Sequence, residues 1–213
     1  MKIKISLSLT IIILSLSSQI LFADPVLNKF LERNKNIKTF QVDFGKICYW
    51  SEIDTVLFSY GKLYTKGNNI RLEHLFPGKE LMIGTDKELI LYFPEQKQLI
   101  KQDADYWQSL LSPELLAQKY INYCTLKATK IVKDGTIFIF STNEEMDDFS
   151  EIIIQFSNID SLIHFFEYKD KYNNMVSYNF SNHIINQIIP DTLFSFQIPD
   201  SVNVIDQRSK KRK

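Results

Sequence analysis

TFQVDFGKICYW, residues 39–50, is the stretch whose reading decides the fold. Phe40, Val42 and Phe44 alternate with Thr39, Gln41 and Asp43, and Cys48 and Trp50 continue the apolar phase that Lys46 interrupts. Successive side chains of an extended strand point to opposite sides, so a repeat of two predicts a half-buried strand. Upstream, DPVLNKFLERNKNI (residues 24–37) spaces Val26, Leu27, Phe30 and Leu31 at helical intervals. Asp24 stands where a cap belongs and Pro25 at a first helical position, which predicts one short amphipathic helix. Downstream come TVLFSYGKLYTK, IRLEHLF, ELMIGT, ELILYF and QLIKQ. Gly67-Asn68-Asn69, Pro77-Gly78, Thr85-Asp86-Lys87 and Pro94-Glu95 separate them with turn compositions, and an antiparallel meander follows.

The middle of the chain breaks this pattern. DADYWQSLLSPELLAQKYI (residues 103–121) carries Trp107, Leu110 and Leu111, a Ser112-Pro113 helix start, then Leu115, Leu116 and Tyr120. Two short helices packed on the sheet are predicted there. Strand patterns resume with TLKATKIVKDGTIFIFSTN, where Asp134-Gly135 signals a hairpin, and continue through SEIIIQFSNIDSLIHFFEYKD, NMVSYNFSNH and a final TLFSFQI. With no internal repeat or low-complexity linker, residues 24–206 read as one mainly β domain of α+β class: a large antiparallel sheet with a few helices on one face.

The two ends read differently from this body. Residues 1–23 open with Lys2 and Lys4, run through an apolar stretch from Ile5 to Leu16 and reach Ala23 before Asp24. That is the pattern of a cleavable secretory signal, serine-interrupted and short of the roughly 20 apolar residues a spanning helix needs. Export is therefore expected. Residues 207–213 hold Arg208, Lys210, Lys211, Arg212 and Lys213, a basic tail expected to be disordered. The body between is acidic, which argues against a nucleic-acid partner.

Cys48 and Cys124 permit a disulfide in an oxidising compartment, with two buried thiols as the alternative. His74, His164 and His183 are far apart in sequence and form no His-Glu-x-x-His helix, so no metal site is expected. The chain has no Gly-x-Ser-x-Gly elbow and no phosphate-cradling glycine run, and it reads as a non-enzyme without a cofactor. The acidic NEEMDD segment (residues 143–148) reads as a solvated turn.

TIFIF, EIIIQF and LIHFF carry large apolar residues in both phases, where a sheet with one watered face alternates cleanly. Either both faces are covered by the chain itself, or one face lines an apolar cavity; composition fits both.

The ending DTLFSFQIPDSVNVIDQR resembles the terminal motif of the LolA-type periplasmic lipoprotein carriers. There, a strand of alternating Phe precedes a proline, a Val-rich run and a final Asp-Gln, here Phe194, Phe196, Pro199, Val202, Val204, Asp206 and Gln207. VLNKFLERNKNIKTFQVDFGK, SYGKLYTKGNNIRLEH, ELMIGTDKELILYFPEQKQL and SPELLA follow the family's order of segments over most of the chain. The resemblance implies an open half-barrel of antiparallel sheet, capped by short helices, around an apolar cavity for lipoprotein acyl chains. It implies a monomeric periplasmic carrier with an inner-membrane releasing transporter and an outer-membrane acceptor as partners.

On that basis Phe40, Phe44, Tyr92, Phe93, Phe194 and Phe196 are cavity candidates. Trp107, Leu110, Leu111, Leu115 and Leu116 are the corresponding cavity and lid candidates, each with plain core packing as the alternative. The family's lid-closing arginine has no counterpart at Lys66-Gly67-Asn68, and Arg71 fits its second location. A LolB-like acceptor would share the fold but would require an anchoring cysteine after the signal. A non-enzymatic envelope scaffold or lipid-binding β-domain with a filled core is the remaining alternative.

Overall fold

The structure is a computed structural model that describes residues 24–104, 124–142 and 149–209. Helix α1 is Pro25–Asn34. The strands are β1 (Thr39–Trp50), β2 (Thr55–Lys66), β3 (Asn69–Phe76), β4 (Glu80–Gly84), β5 (Glu88–Phe93) and β6 (Gln98–Asp103), then β7 (Cys124–Val132), β8 (Gly135–Thr142), β9 (Phe149–Ser157), β10 (Ile163–Asp170), β11 (Met175–Ile185) and β12 (Asn203–Asp206). They form one open sheet in the order β12-β6-β5-β4-β3-β2-β1-β11-β10-β9-β8-β7. Two meanders, β1 to β6 and β7 to β11, are thus joined side by side through β1 and β11. Every neighbouring pair is antiparallel except β12 with β6. The two short helices expected within residues 103–121 and the acidic turn at 143–148 lie outside the described residues, apart from Asp103 and Ala104.

The alternation legible in residues 39–50 becomes two distinct faces. Phe40, Val42 and Phe44 of β1 join Leu63, Ile70, Leu89, Phe138, Ile152, Ile154, Phe166 and Phe180 in one cluster under α1. We call this the helix face. Asp24 caps α1 by accepting from the Val26 and Leu27 amides at 2.8 and 3.4 Å, and its other oxygen accepts from Thr129 of β7 at 2.5 Å. The Thr129 hydrogen bond leads in holding this carboxyl below its ordinary value. From α1, Phe30 stacks on Phe156 at 4.9 Å and meets the edge of Phe138 at 6.0 Å. Such ring pairs add about 0.5–1.5 kcal/mol beyond area burial.

The opposite face of β4 to β6 carries Ile83, Ile90 and Leu99, which bury against Ile189 and Phe194. The chain from 186 to 202 crosses this face as a strap. Here the sequence expectation is corrected: TLFSFQI is not a strand, since Asp191–Phe194 is a 3-10 turn and residues 195–198 pair with no strand. The alternating Phe residues contribute side chains to a sheet surface rather than backbone bonds to its edge, with Pro190 directly preceding the turn. The last strand is β12, parallel to β6 from Asn203↔Gln98 to Asp206↔Lys101. Bonding continues past the expected body: the Gln207 amide donates to the Lys101 carbonyl at 2.8 Å and the Ser209 amide to Asp103 at 2.8 Å. Arg208 pairs with Glu88 at 2.8 Å and with Asp206 at 2.5 Å. The Arg208 hydrogen bond leads in holding Asp206 down at about 2.

Candidate functional site

Burial on the helix face declines along each strand away from α1. In β1, Phe44 is buried, Cys48 is half-buried and Trp50 is exposed. In β2, Leu63 and Gly61 are buried whereas Leu57 is exposed, and in β11 Phe180 is buried whereas Val176 is half-buried. Regular alternation and the pairings Cys48↔Leu57 and Cys48↔Val176 put these side chains on one surface. Tyr168, Tyr178, Phe149, Leu91 and Met82 are likewise half-buried against the helix-face cluster. Ala104 and Cys124, which flank residues 105–123, pack against that same cluster. The part of the helix face beyond α1 is therefore a broad apolar wall, with Ala104 and Cys124 among the side chains packed on it.

Few polar groups interrupt the wall. Lys46 Nζ lies over the Tyr178 ring at 5.6 Å, which gives the residue that breaks the β1 pattern a cation–π partner. His74 meets Phe44 edge-on at 5.4 Å, and its Nδ1 is 3.2 Å from Glu80 Oε2. Burial lowers the His74 pKa against the opposing pull of Glu80. Burial, aided by Cys48, raises the Tyr178 hydroxyl, and burial raises the Cys124 thiol. Cys48 and Cys124 are unpaired thiols, and a raised pKa keeps Cys124 a packing group rather than a nucleophile.

The sequence candidates divide between the two faces. Phe40 and Phe44 belong to the helix-face core at 1% and 3% exposure, and alternation with Leu89 and Leu91 puts Phe93 on that face. Tyr92, Phe194 and Phe196 lie on the strap face, with Tyr92 and Phe196 rings 4.7 Å apart. Arg71 also faces the strap: Nε donates to Glu73 at 2.6 Å and Nη1 to the Leu193 carbonyl at 2.9 Å. Lys66 makes a similar clamp on the Ile189 carbonyl at 2.8 Å and on Asp191 at 2.6 Å. Trp107, Leu110, Leu111, Leu115 and Leu116 lie outside the described residues.

Three features escaped the sequence reading. An open cleft of about 1040 Å³ lies at the α1 end, framed by residues 34–40, 65–67 and 186–189. On the strap face beyond the strap itself, Phe58, Tyr60 and Phe76 are exposed, with Tyr60 stacked on Phe76 at 5.7 Å. Phe58 lies over the bare surface of Gly45, whose added Cβ would stand 3.7 Å from it. Finally, His164 and His183, 19 residues apart in sequence, stack at 4.6 Å beside Asp160. Among the described residues no helix is long and apolar enough to cross a membrane.

Residues 35–197 match the family model described as outer membrane lipoprotein carrier protein LolA. No curated protein matches the sequence. Among solved structures, an uncharacterized conserved protein from Thermus thermophilus is 14% identical, with 85% of this chain and 99% of that one covered at a TM-score of 0.57. That likeness is one of fold. The Mycobacterium tuberculosis lipoprotein LppX is 6% identical over 79% of this chain and 99% of its own, at a TM-score of 0.48. A LolA superfamily protein from Nitrosomonas europaea is 11% identical over 79% and 97%, at 0.43.

Proposed function

This chain belongs to the LolA family of outer membrane lipoprotein carriers, and from that premise we propose that it is a soluble periplasmic carrier of lipoprotein acyl chains. The signal-like residues 1–23 would direct export. The observation that carries the proposal is the half-buried apolar wall beyond α1, to which Cys48, Val176 and Tyr178 contribute side chains. Acyl chains make no directional bonds; their binding scales with area removed from water, at about 25 cal/mol per Å². A chamber of this kind needs breadth and dryness rather than a catalytic constellation.

In this reading the residues between Ala104 and Cys124, with Leu110, Leu111, Leu115 and Leu116, close over the wall as a lid. Phe44 and Phe93 stand at the inner margin of the wall, and Phe40 supports it from the core under α1. Tyr92, Phe194, Phe196 and Arg71 act at one remove by fixing the strap behind the sheet. Cargo would pass from an inner-membrane releasing transporter to an outer-membrane acceptor.

The test uses the protein purified without detergent and a triacylated lipopeptide as probe. The wild type should co-elute with the lipopeptide in gel filtration. Val176→Asp, a change at a half-buried position, should abolish co-elution while leaving the far-ultraviolet circular dichroism unchanged. Equal retention by wild type and Val176→Asp would move cargo off this wall, and no retention by the wild type would favour the envelope scaffold with a filled core.

A further inference from the structure

Asp160, His164 and His183 form a cluster that the carrier reading does not use. Asp160 lies in the turn between β9 and β10, His164 is on β10, and His183 is on the adjacent β11. The local fold brings them together by an irregularity. In the pairing of β1 with β11, Gln41↔Ile184 and Asp43↔Ser181 leave Val42 opposite both Asn182 and His183. Asn182 takes φ +55 and donates to Asp43 at 2.8 Å. Such a bulge re-aims the side chain that follows it, and His183 lands on the His164 ring at an interplanar angle of 19°.

We propose that this cluster is a site for a divalent transition ion of the zinc class. One ligand atom from each residue lies within 4.8 Å of the others. Asp160 Oδ2 and His164 Nε2 are 2.9 Å apart. Two ligand atoms each about 2.1 Å from one tetrahedral ion are separated by about 3.4 Å, so this hydrogen-bonded pair need open by only about 0.5 Å to share an ion.

The third ligand has its supporting bond in place. His183 Nε2 is 3.0 Å from the Ile163 carbonyl, an acceptor only, so Nε2 carries the proton and Nδ1 is left with its lone pair. A carbonyl on the far nitrogen is the usual orienting partner of a metal-bound imidazole. Asp160 is held similarly, its Oδ1 accepting from the Leu162 amide at 2.9 Å while Oδ2 faces His164. The Phe40 ring, 5.8 Å from that of His183, gives the group an apolar backing. One ligand atom of His183 lies within 4.8 Å of those of Asp160 and His164, so its side chain has to move toward the pair to share an ion with them. Two imidazoles and a carboxylate suit Zn²⁺ and its Co²⁺ substitute, and leave a fourth position for water or a donor from another molecule.

The experiment uses protein without a polyhistidine tag, titrated with ZnCl₂ by calorimetry and with CoCl₂ by visible absorption. The wild type should bind one ion per chain, give the intense visible bands of low-symmetry Co²⁺, and gain thermal midpoint with Zn²⁺, because an ion that binds only the folded state stabilises it. His164→Ala and His183→Ala should each weaken binding at least tenfold and remove the Co²⁺ bands, whereas His74→Ala should keep both. Asp160→Asn, at an exposed turn position, should weaken binding with the fold intact and so serves if a histidine variant does not fold. Absence of saturable binding by the wild type, or wild-type affinity in Asp160→Asn and His164→Ala, would overturn the site. Lipopeptide retention plays no part in these readouts, so the two proposals fail separately.

Discussion

Gly61→Ala is the substitution that most directly tests the packing of the helix face. A Cβ at this position would stand 1.9 Å from the Glu73 carbonyl oxygen and 2.8 Å from Phe44 Cζ. Carbon and oxygen need a little over 3 Å, so β3 must retreat by more than 1 Å or Phe44 must leave its rotamer. Retreat weakens the β2–β3 ladder beside the shift between Tyr60↔Phe76 and Gly61↔His74, where two bonds at about 1 kcal/mol each are at stake. Overpacking of this kind adds about 1–3 kcal/mol. A loss of about 3–5 kcal/mol follows, against a total stability on the order of 5–15 kcal/mol. At roughly 2–4 °C per kcal/mol for a domain of this size, the thermal midpoint should fall by about 10 °C. Gly45→Ala is the control, since its Cβ meets only Phe58 Cε2, at 3.7 Å, and the change should be nearly neutral. Urea unfolding of both variants decides the matter. If Gly61→Ala lies within 0.5 kcal/mol of wild type, or costs no more than Gly45→Ala, the account of close strand approach is wrong.

Phe156→Ala removes a ring at 1% exposure that stacks on Phe30 and abuts Phe138, and should cost about 3–5 kcal/mol in urea unfolding; less than 1.5 would mean that the α1 contact contributes little. His74, its pKa lowered from 6.5 by burial, favours folding as the neutral ring. Its contribution is fully present above 6.5 and is lost as pH falls through the lower folded value, so His74→Phe should flatten the slope of stability against pH below 6.5, and an unchanged slope would refute this. Arg71→Ala frees the Leu193 carbonyl and leaves Glu73 without its guanidinium, a loss of about 2 kcal/mol. Hydrogen exchange should quicken in residues 189–196 first, and uniform quickening over the sheet would argue against a local clamp.

The first strand, the β2 to β6 meander and the opening helix were legible because each is specified locally. Period-two alternation in residues 39–50, turn residues between strands and the Asp24-Pro25 start need no tertiary information. Which face lies under α1 and which under the strap was not legible, because alternation sorts side chains into two sets without saying what covers either. Tyr92 and Phe93 are adjacent in sequence and so were grouped as one site, although adjacency in a strand is what puts them on opposite sides. Phe194 and Phe196 misled for a related reason: a segment lying across a sheet can alternate as a strand does, and only the missing ladder distinguishes them. The His164–His183 contact depends on a bulge in a strand whose partner is more than 130 residues earlier in the chain, and spacing along the sequence carries no trace of it.

The strap also imposes an order of events on the chain. Ile83, Ile90 and Leu99 are complete as strand residues early, yet their cover is Ile189, Phe194 and Val202, about a hundred residues later. β1 has the same dependence, since its second neighbour is β11. A chain delivered from its N-terminus, as every chain is during synthesis, therefore holds a half-finished sheet with an apolar back and an unpaired edge until residues 175–206 arrive. Whatever handles the polypeptide in that interval must shield an apolar surface made of β4 to β6, and that need ends when β12 docks beside β6 and completes the fold from the far end of the sequence.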